Sequence, residues 1–196
     1  HHGYYPFFLE KRNFSENLLK TMNMMIEVDI LLIYQMEQKN LNRIKKLLYL
    51  LATRGTGTPN VSQLAQEVLT SRTTIANYIK FLSDARLINI LYRKGEDYPK
   101  KPGRIMMNNT NLMYAMTPGN VNTEDLMDTF FQNAIWGKHK IRIGDRGCTF
   151  LLDNQYRFRL QNEAPKRKST DVIYVRSDKN IGDEQVIPLW MFGLLY

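Results

Sequence analysis

The sequence predicts an α+β fold, with helices in the first part of the chain and short strands around one helix in the last part. Apolar residues recur at helical spacing from residue 15 to residue 82, which indicates a series of amphipathic helices. Beyond them, short β-branched and aromatic runs alternate with turn-forming residues, which indicates strands. A chain of 196 residues is long enough for one large domain or two small ones.

We expect three segments in chain order. Residues 1–40 form a helical segment, and residues 41–107 form a compact unit of short helices and two strands. Residues 108–196 form a small α/β domain. The boundary is placed near residue 108 because the polar runs 108–111 and 117–120 have the composition of connecting segments.

The last segment begins with one amphipathic helix and continues with strands. Apolar residues in 124–136 recur at helical spacing. Four short apolar runs behind this helix are expected to form strands, at 139–143, 148–152, 156–160 and 172–175. Residues 144–147 and 153–154 between them have the composition of hairpin turns. The apolar run 187–196 is expected to pack as a helix against the sheet.

The stretch from residue 61 to residue 104 is typical of a helix-turn-helix followed by a two-stranded wing. The apolar residues of 61–69 lie on one helical face, and Asn60 can cap this helix. Ser71 can cap a second helix over 72–82. Two short helices joined by a brief polar turn are the arrangement that places a second helix in the DNA major groove.

The second helix and the wing supply the residues that we expect to contact duplex DNA. Residues 86–92 and 103–107 are expected to be strands, and the loop between them is rich in turn formers and cations. Thr73 and Asn77 on the outer helical face suit base edges, whereas the cations suit phosphates. The expected contact residues are Arg72, Thr73, Asn77, Lys80, Arg93, Lys94, Lys100, Lys101 and Arg104. A protein-binding wing with solvated lysines is the alternative that the sequence leaves open.

Positive charge is concentrated in the segment that contains the helix-turn-helix. The chain as a whole carries a formal net charge of +8. Residues 1–40 contribute −1, residues 41–107 contribute +8 and residues 108–196 contribute +1. Clustered positive charge is the electrostatic signature of a polyanion-binding surface, so its position favours DNA as the partner of the middle segment.

The sequence contains no recognisable catalytic, cofactor or metal motif. The G-x-G at Gly55–Gly57 lacks the Gly-Lys-Ser/Thr ending and the preceding strand of a phosphate-binding loop. No apolar run reaches eighteen residues, so we expect no membrane span. The single cysteine, Cys148, excludes a disulfide framework and fits the reducing cytoplasm, where we expect the protein.

Four motifs together resemble one prokaryotic family. They are residues 3–6, the helix-turn-helix with 78–82 and 85–88, residues 108–112, and the ending 187–193. The family comprises AAA-type ATPases that carry a C-terminal winged helix and a restriction-endonuclease-like domain. The resemblance covers nearly the whole chain and implies that the nucleotide-binding core lies upstream. It also implies that residues 1–40 end the ATPase lid and that residues 108–196 have a nuclease-like α/β fold.

The last domain departs from this family's pattern at the residues that would bind metal. Restriction-type nucleases hold a divalent cation with converging carboxylates. The resemblance places Asp128, Thr149 and Arg159 at positions where relatives commonly carry acids. One acid, one neutral residue and one cation predict a degenerate domain that neither binds metal nor cleaves DNA. The acids that could substitute are Glu124, Asp145 and Asp153.

The cations of this domain suggest a different use for its surface. Arg157 and Arg159 alternate with Tyr156 and Phe158, so both arginines are expected on one face of a strand. A nuclease-like domain without its acids but with these cations could retain nucleic-acid binding alone, and a solvated charged face is equally compatible with the sequence.

We therefore interpret the chain as the DNA-binding and regulatory C-terminal part of an AAA-type ATPase, with no catalytic function and no cofactor of its own. Its expected partners are duplex DNA and the upstream ATPase domain, without a membrane, and homo-oligomers are left open. The first alternative is a protein-interaction or oligomerisation module that uses the wing and the apolar tail. The second alternative is a metal-dependent nuclease.

Overall fold

The computed structural model describes residues 13–30, 37–163 and 169–195. Its helices and sheets make a mixed α+β fold, as the sequence predicts. The chain divides into two compact units, the first of residues 1–90 and 105–121, the second of residues 91–104 and 122–196. None of the described helices is long and apolar enough to cross a membrane.

Within its described residues, the first unit contains five α-helices that share one apolar core. These helices are α1 (Phe14–Met24), α2 (Lys39–Arg54), α3 (Val61–Val68), α4 (Arg72–Asp84) and α5 (Thr110–Met116). A π-helical turn, Met25–Ile30, continues α1. Each helix sends at least one fully buried side chain into the core, namely Leu18, Ile44, Leu64, Ile75 and Leu112. Each such side chain stabilises the fold by about 1.5–3 kcal/mol through removal of its apolar surface from water.

The caps of α3 and α4 lie where the sequence predicts them. The Asn60 side chain accepts a hydrogen bond from the Gln63 N–H at 3.1 Å. The Ser71 hydroxyl accepts one from the Thr74 N–H at 3.1 Å. These bonds satisfy backbone donors that have no partner inside a helix, which fixes where each helix begins.

The turn between α3 and α4 begins one residue earlier than the apolar pattern suggests. Leu69 adopts a left-handed conformation with φ 58°, and its side chain is 76% exposed. The Thr70 N–H bonds back to the Ala65 carbonyl at 2.9 Å, which is the hydrogen bond that closes a helix at a left-handed residue. An apolar residue at helical spacing is therefore part of the turn and not of the core.

Two strands follow α4, namely β1 (Ile88–Leu91) and β2 (Arg104–Met107). The Asn108 N–H bonds to the Leu87 carbonyl at 3.0 Å and the Gly103 N–H to the Leu91 carbonyl at 3.1 Å, so the strands are antiparallel. β1 is shorter than the predicted run because Arg86 takes a left-handed conformation, φ 55°, at the end of α4. The base of this hairpin belongs to the first unit, and its outer part, residues 91–104, belongs to the second.

Residues 108–121 belong to the first unit, although the sequence places a boundary at residue 108. Here Asn109 caps a helix and Asn111 is buried within that helix, so the segment is not a linker. The Asn109 side chain accepts the Leu112 N–H at 3.0 Å. Asn111 is only 3% exposed, and Leu112 and Met113 join the first unit's core. Polar composition alone does not distinguish a buried cap from a connecting segment.

The described residues of the second unit form one α-helix, a five-stranded mixed sheet and a short 3₁₀ helix at the C-terminal end. Helix α6 spans Thr123–Ile135. The strands are β3 (Ile141–Ile143), β4 (Phe150–Leu152), β5 (Tyr156–Leu160), β6 (Val172–Arg176) and β7 (Val186–Pro188). The strand order in the sheet follows the chain order. β4 pairs antiparallel with both β3 and β5, whereas β6 pairs in parallel with both β5 and β7.

Four phenylalanines form the centre of the second unit. Phe131 of α6 lies 5.2 Å from Phe150, 5.2 Å from Phe158 and 4.6 Å from Phe192 between ring centroids. Phe192 belongs to a 3₁₀ helix, Leu189–Leu194. The sequence predicts that the apolar end of the chain packs as one helix against the sheet. It instead forms the strand β7 and this 3₁₀ helix, and Phe192 packs both on Phe131 of α6 and on Phe158 of β5. Aromatic pairs at these separations contribute about 0.5–1.5 kcal/mol each beyond their burial.

We expect Ser71→Ala to destabilise the protein by about 1 kcal/mol, because the variant leaves the Thr74 N–H without its cap. Urea denaturation followed by far-ultraviolet circular dichroism measures this change. Ser62→Ala is the matched control, since Ser62 lies inside α3 and caps no helix. Equal shifts in the two variants would show that the hydroxyl of Ser71 does not act as a cap.

Candidate nucleic-acid interface

The two faces of α4 differ sharply in exposure. Ile75, Ile79 and Leu82 are at most 1% exposed and pack in the core of the first unit. Thr73 and Asn77, one helical turn apart, are exposed on the opposite side. The structure therefore presents to solvent the two polar side chains that the sequence selects for base contacts.

The cations of α4 differ in how they are engaged. Arg72 is the first residue of α4 and is exposed, and it has no ion-pair partner within the described ranges. Lys80 bonds both carboxylate oxygens of Asp84, at 3.0 and 2.8 Å. An exposed pair one turn apart contributes only about 0.3–0.5 kcal/mol, so breaking it to bind a DNA phosphate would cost little.

The loop that joins β1 to β2 carries most of the remaining predicted contacts. Its exposed cations are Arg93, Lys94, Lys100 and Lys101. In the part of the chain that the structure describes, none of these four has an ion-pair partner. The loop and α4 belong to different units, and each is considered by itself.

Contacts within the second unit hold this loop in place. Arg142 of β3 forms a bidentate ion pair with Asp97, at 2.8 and 2.9 Å, and donates to the Glu96 carbonyl at 2.6 Å. The hydrogen bond from Arg142 lowers the pKa of Asp97, and the same pair raises the pKa of Arg142. Asp97, one of the two acids of the loop, is thus engaged internally, which leaves Glu96 and the four exposed cations as the loop's other charges.

Arg104 differs from the other predicted DNA contacts. Its guanidinium forms an ion pair with Asp128 of α6 and lies 5.7 Å from the centroid of the Phe150 ring. Its side chain is 21% exposed. The sequence groups Arg104 with the phosphate contacts, but the structure engages its charge with a buried carboxylate, so we omit it from the proposed interface.

Asp128 is the most perturbed carboxyl group of the described chain. Burial raises its pKa to about 6, and the nearby Arg104 only partly offsets this effect. Asp125 and Glu124 raise the pKa further by repulsion. A carboxyl group with such a pKa is a candidate for acid–base chemistry in general, but here its oxygen is committed to a structural ion pair.

The positions that would hold acids in an active nuclease have other roles. The Thr149 hydroxyl accepts a hydrogen bond from the Leu160 N–H at 3.0 Å. Among the possible substitutes, Asp145 pairs with Arg157 and Asp153 pairs with His139. Within residues 13–30, 37–163 and 169–195, no group of three His, Cys, Asp or Glu side chains is arranged to hold a metal ion. That the protein binds no metal ion remains a prediction from the sequence.

Sequence reasoning missed the two ion pairs that anchor the loop and β2. Arg104 and Asp128 are 24 positions apart, and Asp97 and Arg142 are 45 apart. No local pattern joins residues at such separations. The one usable signal is that Arg142 occupies the middle of an otherwise apolar strand, because a buried arginine requires a partner.

We expect the free energy of unfolding to fall as pH rises from about 4 to 7 because of Asp128. Its pKa in the folded protein is about 6, above the unfolded value of 3.8, so its contribution is complete below pH 3.8 and is lost as pH passes 6. The full effect is on the order of 3 kcal/mol. Urea denaturation at pH 4.5 and 7.5 should show this loss in the wild type and not in Asp128→Asn.

Glu184→Gln is the matched control for this measurement, because Glu184 is an exposed carboxylate of the same unit and is not among the groups that shift the pKa of Asp128. It should reproduce the wild-type difference between the two pH values. A wild-type difference that survives in Asp128→Asn would assign the pH dependence to another group.

Comparisons with known proteins identify the first part of the chain. Searches of curated proteins and of solved structures returned no match. A family model described as a domain of unknown function, DUF8612, matches residues 1–120. The match ends one residue before the C-terminal limit of the first unit, so residues 121–196 lie outside it. Since it covers more than half of the 196 residues, the chain belongs to the DUF8612 family.

Proposed function

We propose that this chain binds duplex DNA through the outer face of α4 and, as a separate contact surface, through the exposed cations of the loop between β1 and β2, which would bind phosphates. The observation that carries the proposal is the division of α4 into a buried apolar face and an exposed polar face with Thr73 and Asn77. A second helix presented in this way after a short turn is the arrangement that docks in the major groove.

The chemistry of the exposed side chains fits this role. An asparagine amide can donate to and accept from one adenine edge at the same time, and a threonine offers a hydroxyl and a methyl group to neighbouring bases. Arg72 at the start of α4 has no carboxylate partner in the described ranges and is available to a phosphate. Phosphate contacts supply affinity and orientation, whereas base contacts supply sequence preference.

We further propose that the chain is the regulatory C-terminal part of a cytoplasmic AAA-type ATPase, and that the upstream ATPase domain is its partner. The support is the resemblance of the motifs at 3–6, 78–82, 108–112 and 187–193. DNA binding would then position an enzyme whose catalytic residues lie elsewhere. A phosphate-binding loop in the reading frame upstream of Gly3 would establish this origin, and an unrelated upstream sequence would refute it.

A protein-interaction role is the second candidate, because the chain exposes large apolar side chains. Leu69 is 76% exposed in the turn before α4, and Trp190 and Leu194 near the C-terminus are 51% and 67% exposed. Exposed apolar groups are common singly, but groups of them mark interfaces. Binding that strengthens or persists at high salt would favour this role, since DNA binding weakens as salt rises.

Metal-dependent cleavage of DNA finds no comparable support. Asp128 is committed to Arg104, and Thr149 accepts a backbone hydrogen bond. Arg159, the third position, carries the charge that a divalent cation repels.

We expect Asn77→Ala to reduce discrimination between DNA sequences by about 1–3 kcal/mol, because a bidentate contact to one base would be lost. Duplexes are first selected on the wild-type protein from a random library. Fluorescence anisotropy then compares the selected duplex with a scrambled one. Asn42→Ala is the control, since Asn42 is an exposed asparagine on α2. Equal discrimination by wild type and Asn77→Ala would remove Asn77 from the interface.

We expect Lys100→Ala with Lys101→Ala to weaken binding to all duplexes alike, because both lysines are exposed loop cations without internal partners in the described chain. Each lost phosphate contact should lower the slope of log K against log salt by about 0.9. Titrations at four salt concentrations measure this slope. Lys138→Ala with Lys179→Ala removes the same charge from exposed sites elsewhere. If the loop variant keeps the wild-type affinity and the wild-type salt slope, the result would favour the protein-interaction role over DNA binding by the loop.

A further inference from the structure

A polar pocket lies in the second unit beside the turn that joins β3 to β4. Its volume is about 270 Å³, which is below the range of about 300–1,000 Å³ of pockets for drug-sized ligands. The size therefore suits one small group and not a whole cofactor. Three arginines line it, Arg146 from the turn and Arg157 and Arg159 from β5. The prediction that Arg157 and Arg159 share one face of a strand agrees with their place in one pocket.

The three arginines are not equivalent. Arg157 is bound internally, because it pairs with Asp171 at 2.5 Å and with Asp145 at 3.2 Å. Arg146 and Arg159 are exposed, and neither has an ion-pair partner among the described residues. The pocket thus holds two positive charges that no carboxylate of the described chain neutralises.

The turn geometry brings Arg146 and Arg159 together. Residues 145–148 form a tight turn in which the Cys148 N–H bonds to the Asp145 carbonyl at 2.9 Å. Arg146 has φ 49° and Gly147 has φ 81°, which is the pattern of the two-residue hairpin turn. A Cβ atom on Gly147 would lie 3.9 Å from Nη1 of Arg159. The guanidinium of Arg159 therefore lies against the turn that carries Arg146.

The remaining lining groups add polar donors without adding much negative charge. The Tyr174 hydroxyl accepts the Ser169 N–H at 2.9 Å, so its own hydrogen is available to a ligand. Burial raises the pKa of the Cys148 thiol, which keeps it neutral near pH 7. Asp171 is the one carboxylate among the lining residues, and it is already paired with Arg157.

We propose that this pocket binds a phosphoryl group through Arg146 and Arg159. The planar fork of a guanidinium matches two phosphate oxygens, and two such groups around one small pocket suit a tetrahedral anion better than a single carboxylate. The ligand is a phosphodiester or terminal phosphate of a nucleic acid, or a small phosphorylated molecule. The proposal does not depend on DNA binding by α4, since all of its residues lie in the second unit.

Isothermal titration calorimetry at low ionic strength tests the proposal with two probes, inorganic phosphate and a short 5′-phosphorylated single-stranded oligonucleotide. The wild type should bind at least one of them saturably. Arg146→Gln with Arg159→Gln should weaken that binding at least tenfold, because two charge-assisted contacts are lost. Lys138→Gln with Lys179→Gln removes the same charge from exposed sites outside the pocket and should change the affinity less than twofold.

The two probes also distinguish the source of the phosphoryl group. Oligonucleotide binding that inorganic phosphate displaces indicates nucleic acid, whereas binding of phosphate alone indicates a small phosphorylated ligand. Circular dichroism confirms that the variants are folded. Arg159→Lys gives a second test, since it keeps the charge but loses the fork and should still weaken binding. Failure of the wild type to bind either probe, or equal losses in the pocket and control variants, would overturn the proposal.

Discussion

The packing of one face of α4 is the constraint on which the candidate function depends. Ile75, Tyr78 and Ile79 are at most 1% exposed, so the helix cannot rotate about its axis without exposing them. Each buried side chain contributes about 1.5–3 kcal/mol. That energy fixes Thr73 and Asn77 on the opposite side as a consequence of the helical repeat. A polar surface made in this way needs no further contacts to orient it.

The elements of the first unit could largely be predicted from the sequence, because their signals are local. Asn60 and Ser71 are typical N-cap residues that mark the beginnings of two helices, and the apolar residues between them repeat at helical spacing. The errors have local causes too. Asn109 forms a cap that composition alone presents as a linker. Leu69 belongs to a left-handed turn, although its position in the apolar repeat suggests the core.

The use of the charges could not be predicted, because the relevant pairs are distant in sequence. Arg157 and Arg159 are two positions apart on β5, yet one is tied to Asp171 and the other has no carboxylate partner among the described residues. Arg104 and Arg93 stand at the two ends of one basic loop, and only Arg104 reaches a buried acid. Counting cations locates the positive segment. Only the fold shows which cations are already neutralised and which remain for a ligand.

The loop between β1 and β2 has a consequence for how the protein can be divided into fragments. It lies in sequence between two parts of the first unit, yet it belongs to the second. A fragment beginning at residue 122 would lack both Asp97 and Arg104. Arg142 and Asp128 would then remain in the interior without their partners. Removing one partner of a buried pair costs about 3–5 kcal/mol, and the Arg104–Asp128 pair is largely buried, so such a fragment should be less stable than the second unit of the whole chain even though most of its residues are contiguous.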